Sequence, residues 1–140
     1  GYNCPEIVGL TADAPALARL SAAAKFAKTA LVFGYAEAAG GRIYNSALCF
    51  GPDGQTLAQY RKIQLYGPRE KATYFPGDAF VTFDLDGRKM ALLICYDIEF
   101  APHVAALAAM GVEAILVPTA NMIPFIRRPC RTSYITVAPF

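Results

Sequence analysis

Eleven residues, Met90-Ala91-Leu92-Leu93-Ile94-Cys95-Tyr96-Asp97-Ile98-Glu99-Phe100, constrain the fold of this chain more than any other stretch. Residues 90–94 are uninterruptedly apolar. The run is too short to cross a membrane and too continuous for a strand with one wet face, which would alternate. It reads as a buried strand of a sheet covered on both faces. Cys95 stands where that strand is expected to end, and beyond it the chain turns polar at Asp97 and Glu99, then helical over 102–110. A thiol on such a strand-to-helix corner reaches the sheet edge and faces the positive end of the following helix, a setting that favours thiolates. Cysteine is also among the most buried residue types, so the corner acquires chemical meaning only from its company.

Composition removes several function classes. Hydrophobic residues are 55% of the 140 and charged residues 17%, the balance of one packed domain and not of a disordered chain. No stretch approaches the ~20 residues of a membrane helix, so no membrane partner is expected. The net charge is only +2, with no basic block interleaved with aromatics, which argues against nucleic acid. Arg127, Arg128 and Arg131 form a basic cluster that reads as a solvated segment. Cys4, Cys49, Cys95 and Cys130 fit neither a disulfide framework nor a zinc pattern. With no signal peptide visible, a reducing, cytoplasmic setting is the economical inference. His103 is the single histidine, expected to be solvated in the first turn of its helix, which disfavours Ser-His-Asp or Cys-His catalysis.

Taken in order, the chain predicts an α/β domain. Asp13 is a plausible cap for a helix reaching about residue 28, with Pro15 in its first turn and Leu17, Leu20, Ala24 and Ala27 on one face. Strands are expected at 30–34, 44–50 and 56–60, with turns at Gly40-Gly41 and Gly51-Pro52-Asp53-Gly54. Residues 63–78 show no clean period and read as an ordered loop over the sheet edge, a length that is usually functional. A second hairpin is expected from 79–83 and 88–95, then the helix at 102–110, a buried strand at 114–117 and another at 134–138. Lys62 follows a strand, Glu70 lies in the loop, and Cys95 ends a second strand. Hydrolysis of an amide or nitrile by a thiol needs a nucleophile, a cation for the developing negative charge, and a carboxylate.

Those positions lie within a longer series of ordered matches: Gly1-Tyr2-Asn3, Gly34-Tyr35-Ala36-Glu37, Tyr44-Asn45-Ser46-Ala47, Tyr60-Arg61-Lys62, Glu70, Tyr74-Phe75-Pro76-Gly77-Asp78, Leu93-Ile94-Cys95-Tyr96-Asp97-Ile98-Glu99-Phe100 and Val117-Pro118-Thr119-Ala120. Over roughly its first 125 residues the chain resembles the nitrilase superfamily of carbon-nitrogen hydrolases, and within it the aliphatic amidase-like members. The resemblance implies a four-layer α-β-β-α sandwich, here a partial one, as a single domain over 1–140 that diverges from about residue 125. It implies Cys95 as nucleophile, forming a thioester or thioimidate, and Lys62 as the cation over the tetrahedral intermediate. Glu70 matches a glutamate that positions substrate and Lys62 and assists proton transfer. Tyr96 would give its backbone N–H to the oxyanion. No metal and no organic cofactor are implied.

The implied reaction is hydrolysis of a small aliphatic amide to acid and ammonia. A nitrilase acting on a nitrile and a non-catalytic relic serving as an interaction domain are the alternatives. The resemblance also places a general-base glutamate a few residues ahead of Gly1-Tyr2. Glu6, in Cys4-Pro5-Glu6-Ile7, falls on the wrong side of that pair. Without the base the 140 residues are expected to be slow or inactive, since general acid-base help is worth ~10²–10⁴-fold. Ala101-Pro102 shifts the family proline by one residue, and 125–140 lacks the expected Arg-Ala-x-Glu-Asn stretch. Sheet edges left unpaired by a truncated fold predict a homo-oligomer.

Overall fold

In the computed structural model, which describes residues 9–119 and the strand at 134–139, three successive strands form an antiparallel meander. They are β1 (Leu31–Ala39), β2 (Arg42–Phe50) and β3 (Thr56–Arg61), in the order β1-β2-β3. Gly40 and Gly41, at φ 56° and 72°, make the two-residue turn between β1 and β2 in the left-handed region that side chains avoid. A second sheet orders β4 (Thr82–Leu85), β5 (Arg88–Leu92), β6 (Ala114–Thr119) and β7 (Tyr134–Pro139) side by side. Its β5–β6 pair is parallel, and the crossover between them carries helix α3 (Ala101–Ala109).

The layering follows from how β2 divides its side chains. Leu48 and Phe50 pack with Leu17 and Ala24 of helix α1 (Pro15–Ala27). Ala47 and Cys49, on the other face, join Ala58 and Tyr60 in a core shared with Phe83, Met90 and Ile115 of the second sheet. Leu107 of α3 closes that core from beyond the second sheet. The order is therefore helix, sheet, sheet, helix, as expected. Because both faces of β2 and of β5–β6 are covered, these strands carry the continuous apolar runs read in the sequence.

Several local expectations change. Strand β5 stops at Leu92, although Leu93 still donates its N–H to Leu116 O at 3.2 Å; the chain then enters a 3₁₀ turn, Cys95–Glu99. Strand β1 runs five residues beyond the predicted end, and β4 lies at Thr82–Leu85 instead of 79–83. A short helix, α2 (Gly67–Thr73), occupies the middle of the predicted loop. Asp13 does not cap α1: Ala14 is the cap residue, and the Asp13 carboxylate accepts from Thr11 Oγ1 at 2.6 Å. His103 is half-buried, stacked on Phe100 with centroids 5.5 Å apart and edge-on to Phe80, and its Nδ1 has no hydrogen-bond partner among the described residues. The His103 ring packs on Phe80, in the segment leading to β4, so it is not solvated as expected.

Residues 1–8, including Cys4 and Glu6, and residues 120–133, including Cys130 and the arginine cluster, lie outside the described residues. Among the described residues no helix is long and apolar enough to cross a membrane.

One ion pair locks the three strands of the first sheet together. Glu37 on β1, 4% exposed, accepts from Arg61 Nε at 3.0 Å and from Ser46 Oγ at 2.6 Å. Arg61 Cζ lies 3.9 Å from the centroid of the Tyr44 ring, a cation–π contact. Burial pushes the Glu37 carboxyl up, but the Arg61 and Ser46 hydrogen bonds and the Arg61 charge outweigh it and hold the group below the usual glutamate range. A carboxylate with a lowered folded-state pKa stabilises the fold at neutral pH, and that contribution is lost as pH falls through the lowered value. Glu37→Gln should therefore lower Tm by roughly 3–5 °C at pH 7, for a net bond of ~1 kcal/mol. The gap to the wild type should close as pH falls below the ordinary glutamate range. Scanning calorimetry on both proteins from pH 7 to 3 checks this, and a gap that stays constant would contradict it.

Candidate active site

The Lys62 side chain, 0% exposed, is carried by the residue directly after β3. Its backbone is held from both sides: Lys62 N–H donates to Asn45 O at 2.8 Å, and Gly77 N–H donates to Lys62 O at 2.8 Å. Gly77 approaches so closely that a Cβ there would lie 2.2 Å from Arg61 O, which no side chain can relieve. The Tyr74-Phe75-Pro76-Gly77-Asp78 segment thus fixes where Lys62 leaves the sheet.

Helix α2 brings Glu70 back over that lysine. Its carboxylate is 3% exposed and receives Lys62 Nζ at 2.9 Å on Oε2 and 3.1 Å on Oε1. Asn45 Nδ2 donates to Oε1 at 2.6 Å, and the backbone N–H of Tyr66 donates to Oε2. A buried charge pair is tolerable only when its remaining lone pairs and protons find partners. Four hydrogen bonds converge on Glu70 and hold its side chain against Lys62.

Cys95 opens the 3₁₀ turn at the C-terminal end of the β5 segment, half-buried, with φ 48°. Left-handed backbone is uncommon for a residue with a Cβ and persists where surrounding structure enforces it, often at functional sites. The enforcing group is Asp97. It is 0% exposed and accepts from Ile94 N–H at 3.0 Å, Tyr60 Oη at 2.9 Å and Gln64 N–H at 2.7 Å. Burial raises its carboxyl above the ordinary aspartate range, against the lowering effect of those donors and of the nearby Lys62 charge. The Tyr60 hydroxyl is itself raised far above its usual range, first by burial and then by Asp97, and remains a donor.

Tyr96 joins the same assembly through its ring, edge-on to Tyr66 at 5.1 Å and to Phe100 at 5.0 Å. The structure therefore brings Lys62 and Glu70 into direct contact. It links the Cys95 turn to them twice, through Asp97 to the residues flanking Lys62 and through Tyr96 to Tyr66. Sequence reading missed Asn45, Gly77 and Asp97 as parts of the site. Each sits inside a quoted motif, but nothing in the local pattern shows whom it bonds. Among the described residues no group of three or more His, Cys, Asp or Glu side chains is placed to hold a metal ion.

The carbon-nitrogen hydrolase family model matches residues 2–133. The chain belongs to the carbon-nitrogen hydrolase family. It is 45% identical over 131 residues to a hydrolase encoded in the pqqF 5′ region of Pseudomonas protegens, covering 89% of this chain and 46% of that protein. It is 38% identical over 111 residues to the omega-amidase of Homo sapiens, covering 73% of this chain and 40% of that enzyme. A solved structure of an amidase from Nesterenkonia sp. AN1, bearing the Michael adduct of acrylamide at its active-site cysteine, superposes with a TM-score of 0.70 at 40% identity, covering 74% of this chain and 42% of that one. The chain thus spans less than half the length of these carbon-nitrogen hydrolases. The mixed α/β architecture with two sheets is that of nitrilase-superfamily amidases.

Proposed function

We propose that this chain supplies the nucleophile and the charge-stabilising pair for hydrolysis of a small aliphatic amide through a thioester on Cys95. The observation that carries the reading is a half-buried cysteine in a left-handed corner whose turn is hydrogen-bonded, through Asp97, to Tyr60 and Gln64 on either side of the lysine of a buried lysine–glutamate pair. Attack of the Cys95 thiolate on the amide carbon forms a C–S bond and puts negative charge on the carbonyl oxygen. Collapse breaks the C–N bond and releases ammonia once nitrogen has taken a proton. Water then cleaves the thioester to the acid and restores the thiol.

Lys62 is the cation for the intermediate, held in place by Glu70 in a water-poor site where such a charge acts strongly. Tyr96, second in the 3₁₀ turn, has an N–H with no acceptor inside the turn, which suits it to the oxyanion. Glu70 is read as a positioning group. Each of its oxygens already accepts two hydrogen bonds, which favours positioning over proton transfer. Amides are preferred to nitriles as substrates because relatives of this chain are amidases.

Intact-mass measurement after incubation with short aliphatic amides and nitriles tests this. The expected result is a mass gain equal to the acyl group, absent from Cys95→Ala. Cys49 provides an internal control, being buried and pushed up to about 11 by that burial, so it should resist iodoacetamide while the protein is folded. Iodoacetamide labelling of Cys95, protection of Cys49 and no adduct from any amide or nitrile would overturn the reading. Adducts from nitriles alone would replace amide by nitrile as substrate.

A further inference from the structure

Asp97 lies two residues past Cys95 and is as deeply buried as Lys62, yet the chemistry proposed above gives it no part. A carboxylate is costly to bury, and the fold retains this one at the centre of three segments. Oδ2 accepts from Ile94 N–H at 3.0 Å, just ahead of the nucleophile, and from Tyr60 Oη at 2.9 Å. Oδ1 accepts from Gln64 N–H at 2.7 Å. Tyr60 and Gln64 stand two residues before and two residues after Lys62. One side chain therefore spans the peptide that aims the thiol and both flanks of the residue that carries the cation.

Its own N–H also donates to Ile94 O at 3.0 Å, so backbone and side chain of Asp97 together close the turn in which Cys95 sits at φ 48°. Every donor here is a neutral N–H or O–H, and both carboxylate oxygens are used. Asparagine cannot substitute, because its NH₂ would face an N–H or O–H donor whichever way it turned. A group that served packing alone would be replaceable by an apolar side chain. This one instead sets the distance between two functional groups on different sheets.

We propose that Asp97 is the positioning residue of the site, a carboxylate staple that holds Cys95 in register with Lys62. The inference rests on the reading of Cys95 as nucleophile. It predicts that loosening the staple slows bond formation at Cys95 without weakening capture of the amide, since Asp97 does not itself touch the substrate. A misplacement of about 1 Å is worth on the order of 10²-fold in such reactions.

The test compares wild type, Asp97→Asn, Tyr60→Phe and, as a destabilised control remote from the site, Leu17→Ala, which opens the core between α1 and the first sheet. Adduct formation is followed by mass spectrometry over a range of acrylamide or short-amide concentrations, giving a saturating rate and an apparent binding constant. Cys49 protection reports folding in each. For Asp97→Asn the saturating rate should fall at least tenfold, with the binding constant within threefold of wild type and Cys49 still protected. Tyr60→Phe removes one of the three bonds and should slow the reaction by roughly threefold; it decides the question if Asp97→Asn exposes Cys49. Leu17→Ala should leave the rate unchanged. Wild-type rates in Asp97→Asn or, should that variant unfold, in Tyr60→Phe would overturn the proposal, as would an equal loss in Leu17→Ala. If wild type forms no adduct at all, the hydrolase reading has failed instead. The same comparison run with iodoacetamide at Cys95 then still decides whether Asp97 sets the presentation of the thiol.

Discussion

Replacing Glu70 by alanine is expected to remove about 3–5 kcal/mol of folding stability, the loss typical of breaking a buried ion pair from one side. The substitution leaves the Lys62 ammonium, at 0% exposure, without its carboxylate. It also strips the acceptor from Asn45 Nδ2 and from the N–H of Tyr66. Against a total of ~5–15 kcal/mol for a domain, this places the variant near its unfolding threshold. Urea denaturation followed by circular dichroism would register it as a midpoint lowered by roughly 2 M, at a slope of ~2 kcal/mol per M.

The companion double variant, Lys62→Met with Glu70→Leu, separates stability from function. Well-packed apolar residues often replace a buried ion pair at no loss. The double variant should therefore recover the part of the loss that comes from the unpaired Lys62 charge, but not the part from Asn45 Nδ2 and the Tyr66 N–H, which still lack an acceptor, and it should form no acyl adduct. A Glu70→Ala loss below about 1 kcal/mol would mean that the lysine is not held by this pair.

That dependence on a partner explains what the sequence revealed and what it did not. The layers were legible because burial leaves local marks: the continuous run before Cys95, the 3.6-residue spacing of Leu17 and Ala24, and glycines where φ must be positive. Cys95 stands out as a candidate because it ends such a run, whereas Lys62 is singled out only by the resemblance to carbon-nitrogen hydrolases, since a lysine after a strand is more often a solvated edge residue. Helix α2 was not legible, since seven residues give no period and its start is a Gly67-Pro68 pair that reads as a turn. By its local sequence Asp97 reads as the polar lead into a helix, and His103 as solvated. Their burial depends on contacts remote in sequence, from Tyr60 and Gln64 in one case and from Phe80 in the other. Local polarity marks exposure only while such a group lacks a distant partner. The apolar run likewise overstated β5, because Leu93 and Ile94 stay buried after the strand has ended.

The corner at Cys95 yields the second large effect, in which function and stability move in opposite directions. Cys95→Ala and Cys95→Gly both remove the thiol, so adduct formation should fall to background, a loss on the order of 10⁶-fold when a nucleophile is deleted from a cooperative site. Their stabilities should differ in an unusual sense. At an ordinary position glycine is less stable than alanine by ~0.5–1 kcal/mol, because it is freer in the unfolded chain. At φ 48° alanine carries the left-handed penalty of ~1–2 kcal/mol that glycine escapes. The balance favours glycine by up to ~1 kcal/mol, so Cys95→Gly should melt above Cys95→Ala, by at most roughly 3–5 °C. Thermal melts of the two inactive proteins measure this directly, without any substrate. Glycine above alanine would mean that the fold carries strain at this one residue to present a thiol, which packing alone does not require. Alanine above glycine would mean that the corner is unstrained, and the backbone would then give no reason to single Cys95 out.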